Sequence, residues 1–250
     1  ICRPAIELEA TQDPMENARL HRAGHFTEAM MIFEDVFVPW DQVLVYKNET
    51  VASRLALGFA LYHRFTAISY RACLASHLVG IARLMSQYNG IDKVPHIIQQ
   101  IAQLITYAEM QNVCAKMAAL ECTIEPTTGF ALPNAQHTNL GKLFSNSGHM
   151  GAKQALIDIC GGLAVNAPGA EDYQNPELRE DIDKYLAGGN GVSGIQRFKL
   201  FVAVRELLAI YGGLEDVGEL HAEGSMWPSV LELWRSYDYR EVEEKILAQL

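Results

Sequence analysis

From residue 51 to residue 88 the chain reads VASRLALGFALYHRFTAISYRACLASHLVGIARLMSQY, with two glycines and no proline. A run of that length makes about ten helical turns. Its apolar residues are not confined to one stripe, so the pattern predicts a long helix buried on most sides. His63, Tyr70 and His77 recur within it every seven residues. Seven residues are nearly two turns, so the three rings project from one face. Polar rings aligned inside an apolar helix need partners, because an unpaired buried polar group costs about 1–3 kcal/mol. Core side chains, a cofactor or a substrate would each serve.

Before this run, residues 1–50 read as strand and loop. AMMIFEDVFVPWDQVLVY (29–46) is rich in Val, Phe and Ile around a Pro39-Trp40 break. It predicts strands at about 29–38 and 42–46, with Met30, Phe33 and Val36 in a sheet core. So short a β segment cannot bury both faces by itself. It is expected to complete a sheet supplied by further residues or by another chain. The opening ICRPAIELEA, without an initiator Met, points to a cleaved product or the carboxy-terminal part of a longer protein.

After residue 88 the pattern stays helical. Asn89-Gly90 breaks the first helix, and a second is predicted at about 94–122, with Ile97, Ile98, Ile101, Leu104, Ile105 and Ala108 at helical spacing. A proline-containing loop over 123–135 leads to a third helix at about 137–160, capped by Gly161-Gly162. A short helix near 176–186, a flexible glycine-rich stretch at 187–194, and helices at about 195–213 and 228–248 complete the chain. Four long helices with short connections predict an antiparallel bundle. The fold class is therefore mainly α, with residues 1–50 closing a β domain and 51–250 forming a helical bundle domain.

Charge and cysteine usage narrow the function classes. The net charge is −10 and the basic residues are scattered, which excludes a nucleic-acid partner. No apolar run reaches membrane-spanning length uninterrupted, since His63, Arg64, Arg71, His77 and Arg83 break the longest one. No membrane association is expected. The five cysteines are widely spaced without a CxxC, which suits a reducing, cytoplasmic compartment rather than a disulfide framework.

Several residues carry candidate chemistry. Glu28 precedes the first predicted strand, either as a solvated surface carboxylate or facing a cavity where burial would suit it to acid/base work. His63 is a core histidine, a metal ligand or a general base, with Tyr70 beside it. CGGLAVNAPGAEDYQNPE (160–177) puts paired glycines before a polar loop whose N–H groups suit a phosphate or pyrophosphate. It is not a GxGxxG after a strand, so a Rossmann fingerprint is absent. GELHAEGS (218–225) places Glu219, His221 and Glu223 close enough to share protons, or in a wet loop.

Together, FTEAMMIFEDVFVPWDQVLV, HRFTAISYRACLASHLVGIARLMSQYNG, DICGGLAVNAPGAEDYQNPE and ELHAEGS resemble the carboxy-terminal half of 4-hydroxybutyryl-CoA dehydratase. That enzyme belongs to the 4-hydroxyphenylacetate 3-monooxygenase group of flavoproteins, which share the acyl-CoA dehydrogenase fold. The resemblance implies the last strands of a middle β domain followed by a carboxy-terminal bundle, in a homotetramer that binds FAD. Gly161, Gly162, Asn175-Pro176 and Glu177 would then contribute to the FAD site. Glu28, His63 and Glu219 would match active-site residues, and His63 a ligand of a [4Fe-4S] cluster. Tyr70, however, stands where the family has a cluster cysteine, and Ala67 where it has an active-site tyrosine. Iron–sulfur clusters demand thiolates, so the phenol at position 70 argues against the cluster.

Three readings follow. The first is an FAD-dependent dehydratase or isomerase of a short acyl-CoA, such as 4-hydroxybutyryl-CoA or vinylacetyl-CoA. The second is a reduced-flavin-dependent monooxygenase of an aromatic substrate. The third is a non-catalytic helical subunit that completes a partner chain or an amino-terminal half.

Overall fold

The computed structural model describes residues 30–205, 207–208 and 220–250. The candidates Glu28 and Glu219 lie outside the described residues. From residue 30 to 46 the chain forms no strand, and its only regular element is a short 3-10 turn at Trp40–Gln42. Met30, Phe33 and Val36 are exposed rather than set in a sheet core. A strand needs a neighbour for its N–H and C=O groups, and among the described residues none lies beside this segment.

Helix α1 (Glu49–Tyr88) starts where the Asn48 side chain accepts a hydrogen bond from the Val51 N–H at 3.0 Å. Helix α2 (Pro95–Leu120) opens on a proline at its first turn, where the missing N–H costs nothing. The predicted loop that follows is a small hairpin of β1 (Thr123–Ile124) and β2 (Ala131–Leu132). Helix α3 (Ala135–Cys160) is capped by Asn134, whose side chain accepts from the His137 N–H at 3.0 Å. It ends at Gly161, whose φ of 66° lies in the left-handed region that favours glycine.

Short helices α4 (Leu163–Asn166) and α5 (Ala170–Gln174), which the periodicity does not reveal, precede α6 (Pro176–Leu186) and α7 (Gly194–Arg205). The final predicted helix is two: α8 (Met226–Ser236) and α9 (Tyr239–Leu247). Tyr237 is extended between them, and the Asp238 side chain caps the second.

Side-chain bonds between helices fix their directions. Arg64 reaches Asn139 and Asn89 reaches the Ile159 carbonyl, so α1 and α3 run the same way. Gln100 reaches Asp158, and His137 meets Glu121, so α2 runs against α3. Arg197 at the start of α7 reaches Asn89 at the end of α1, so α7 runs back along it. The result is the mainly helical bundle expected from the sequence.

The core gathers Leu78, Ile81 and Met85 of α1 with Leu104 of α2, Leu156 and Ile159 of α3, and Phe201 and Val204 of α7. At Gly141 a Cβ would come within 2.9 Å of the Cys114 Cβ and 3.2 Å of Ile68, so the glycine lets three helices close together. By length and composition alone α1 could cross a membrane. Its buried face, however, carries two arginines paired with acids of another segment, as a bundle helix would.

Contrary to the expectation of burial on most sides, α1 buries a single stripe. It runs through Arg64, Ala67, Ile68, Arg71, Ala75, Leu78, Ile81, Ala82 and Met85. The first turns, with Val51, Leu55 and Leu57, are exposed.

Candidate functional site

Two surfaces of α1 meet the two kinds of chemistry the chain offers. The outward one carries Phe59, Tyr62, His63 and Tyr70, all exposed, with His77 half-buried two turns further on. The rings of Phe59 and His63 lie 5.4 Å apart and tilted by 46°. Tyr62 donates to the Ala131 carbonyl at 3.0 Å and ties this face to the hairpin. His63 and Tyr70 do share a face, as the spacing predicts, but it faces outward and not into the core.

The inward surface is polar in a place where an apolar seam would be usual. The buried stripe of α3 carries Thr138, Asn139, Lys142, Ser145, Asn146, His149 and Lys153 at helical spacing. Arg64 donates from one nitrogen to Asn139 at 2.9 Å and to Glu232 at 2.6 Å. Arg71 donates to both oxygens of Glu223, at 3.1 and 2.9 Å, with the two side chains 1% and 2% exposed. Lys142 donates to the Gly224 carbonyl at 2.6 Å and stands 3.9 Å from Glu223. Asn146 donates to the Leu220 carbonyl at 2.9 Å. The segment from Leu220 into α8 is thus bolted to α1 and α3 by charge and hydrogen bonds.

Burial lowers the Lys142 amine to about 8; Arg64 and Arg71 push the same way and Glu223 opposes them. The Arg64 Nε and the Asn146 Oδ1 have no hydrogen-bond partner among the described residues. Arg71, Leu74, Tyr107, His149, Lys153 and Leu207 line a recess of about 30 Å3 beside this network. That is room for about one water, far too little for a flavin ring.

On the outward face of α1, Phe59 is 68%, Tyr62 40% and Tyr70 45% exposed. Aromatic side chains of this kind stack well on a flat ring system such as an isoalloxazine.

The 160–177 loop behaves differently. Gly161 and Gly162 are exposed, and a Cβ at either would meet nothing within 4 Å. Gly161 is accounted for by its capping role. Asn175 caps α6 by accepting from the Glu177 N–H at 3.0 Å, followed by Pro176 at the first turn. Glu171, Asp172 and Glu177 give this loop negative charge, and Arg205 reaches it only at the Ala167 and Pro168 carbonyls.

The described residues do not fit an iron–sulfur cluster. The Tyr70 hydroxyl is turned towards Glu223, at 3.4 Å, and Cys73 is exposed as a free thiol. Among the described residues no group of three or more His, Cys, Asp or Glu is arranged to hold a metal.

The polar network is what reading the sequence for apolar periodicity misses, although the GELHAEGS stretch contains Glu223. The available signal was the spacing 138, 139, 142, 145, 146, 149, 153 of small and polar residues on one stripe of α3.

Comparison with known proteins places the chain. The family model described as 4-hydroxyphenylacetate 3-hydroxylase C terminal matches residues 52–249. The oxygenase component of 4-nitrophenol 4-monooxygenase/4-nitrocatechol 2-monooxygenase from Rhodococcus opacus is 28% identical over 82% of this chain and 38% of its own length. The crystal structure of the oxygenase component of 4-hydroxyphenylacetate 3-monooxygenase, complexed with FAD and 4-hydroxyphenylacetate, superposes with a TM-score of 0.86. It is 22% identical, covering 100% of this chain and 52% of that one, and so establishes the fold alone. An oxygen-tolerant archaeal 4-hydroxybutyryl-CoA dehydratase from N. maritimus gives a TM-score of 0.76 at 27% identity, over 89% of this chain and 45% of its own. The chain spans about half the length of the curated relatives it matches.

Proposed function

This chain belongs to the 4-hydroxyphenylacetate 3-hydroxylase C-terminal family, and from that premise we propose that it is the helical-bundle part of a flavin-dependent oxygenase that hydroxylates a phenolic ring. The observation that carries this reading is the alignment, over most of the chain, with an oxygenase component that acts on nitrophenols. The cysteine position taken by Tyr70 favours it over the dehydratase reading, because no thiolate stands there to hold a cluster.

Reduced FAD would supply two electrons to dioxygen, so that one oxygen atom enters the ring and the other leaves as water. The chain's own residues bind and orient. Phe59, Tyr62 and Tyr70 offer a stacking wall, and the His63 imidazole on the same face is placed to hold or pass a proton. The other wall and the exclusion of water fall to an amino-terminal half or partner chain, in a homotetramer. The 27%-identical dehydratase keeps the acyl-CoA reading as the second choice.

The test uses the native assembly. Supplied with reduced FAD and 4-nitrophenol or 4-hydroxyphenylacetate, it is expected to consume oxygen and release the catechol in equal amounts. Crotonyl-CoA formed from 4-hydroxybutyryl-CoA under anaerobic conditions, without oxygen uptake, would replace this reading with the dehydratase. Neither product, together with no bound flavin, would leave the non-catalytic subunit.

A further inference from the structure

We propose that Glu223 is a positioning residue that sets the orientation of Tyr70 on the outward face of α1. Only the nature of what Tyr70 faces rests on the oxygenase reading; the positioning itself rests on geometry.

Glu223 lies in the turn that leads into α8, far from Tyr70 in sequence, yet its carboxylate is held from three sides. Arg71 donates to both oxygens. Lys142 stands 3.9 Å from Oε2. The Tyr70 hydroxyl donates to Oε1 at 3.4 Å. The guanidinium carbon of Arg71 also lies 5.8 Å from the centre of the Tyr70 ring, within reach of a cation–π attraction. Hydroxyl and ring are therefore gripped by the two halves of one ion pair. Tyr70 nonetheless remains 45% exposed, so the ring it presents outward is aimed by groups on its inner side.

A buried ion pair is seldom more stabilising than apolar side chains of the same volume. Orientation of a neighbouring ring gives this one a use. Side chains that touch a ligand bind best when a second layer locks their rotamers. Held in this way, Tyr70 presents a fixed flat surface, suited to stacking against a planar aromatic substrate in the oxygenase.

The experiment compares Glu223→Gln, Tyr70→Phe and the double variant in the native assembly. Glu223→Gln is expected to raise KM for the phenolic substrate about tenfold while changing kcat much less. The double variant is expected to be no worse than the poorer single one, because both act through one ring. An undiminished effect of Glu223→Gln in the Tyr70→Phe background would overturn the proposal.

A second readout does not depend on turnover. With 3-fluorotyrosine at position 70, Glu223→Gln is expected to shift and broaden the fluorine resonance, while Glu243→Gln on exposed α9 leaves it in place. An unmoved resonance overturns the proposal whatever the activity. A moved resonance in a protein that hydroxylates no phenol upholds the positioning and sinks the oxygenase reading. Should Glu223→Gln fail to fold, Glu223→Asp keeps the charge but withdraws it by about 1.5 Å, and the same shift is expected.

Discussion

The two ends of α1 are built on different physics. From Leu78 to Met85 the helix packs dry against Leu104, Leu156, Ile159 and Val204, and stability there is a matter of filled volume. From Arg64 to Arg71 the same stripe is just as buried, but it meets Asn139, Lys142, Glu223 and Glu232. The dry end can be rebuilt with any side chains of the right shape. The polar end cannot, because each charge depends on a named partner. It also lies beneath His63 and Tyr70, on the side where a ligand would stack. The difference teaches that this bundle keeps its stability at one end and its specific geometry at the other.

The sharpest way to break that contrast is to remove one partner at the polar end. Arg71→Met leaves Glu223 buried with Lys142 as its nearest cation, and is expected to cost about 3–5 kcal/mol in urea unfolding of the native assembly. Pairing it with Glu223→Leu is expected to restore part of that loss, since the stranded carboxylate is gone while Lys142 keeps its bond to the Gly224 carbonyl but loses its counter-charge. A double variant as unstable as the single one would mean that the pair is not a unit. At the dry end, Leu156→Ala is expected to cost about 2–4 kcal/mol by the same measurement. There only refilling the volume repairs the loss.

How far these features were legible differs along the same lines. The starts of α1, α2 and α3 fall within two residues of where the pattern puts them, because Asn48, Pro95 and Asn134 are strong local signals. Gly161 ends α3 for a reason readable in the sequence, its left-handed φ. The break between α8 and α9 was also written locally, in Asp238 three residues before Glu241, but the apolar spacing ran across it.

The polar network was hidden by an inverted pattern. On α3, Leu140, Met150 and Ile157 are exposed while Asn139, Lys142 and Asn146 are buried. A reading that sends apolar residues inward assigns the first half of that helix the wrong face, whereas further on Leu156 and Ile159 do point into the core. The acids that make the burial tolerable, Glu223 and Glu232, come from more than seventy residues away, and no local rule can supply them. The outward direction of His63 and Tyr70 was missed for the related reason that a helix rich in Ala and Leu looks buried all round.

The smallest expected effect is a slope rather than a loss, and it tests whether the polar end carries a cost the dry end does not. Lys142 is held near 8 in the folded bundle against 10.5 in the unfolded chain. Below pH 8 both states carry the proton, and the penalty for burying the ammonium is fully present. Between about 8 and 10.5 the unfolded chain binds more protons than the folded one, so stability contributed by this site rises with pH. Tyrosines and cysteines titrate in the same range, so the quantity to measure is the difference between wild type and Lys142→Met across that window. Wild type is expected to gain on the variant as pH rises, whereas a Leu156→Ala variant compared in the same way should run parallel to wild type. Parallel curves for Lys142→Met would mean that its amine keeps an ordinary affinity for its proton and that the polar end is less sealed than its packing indicates.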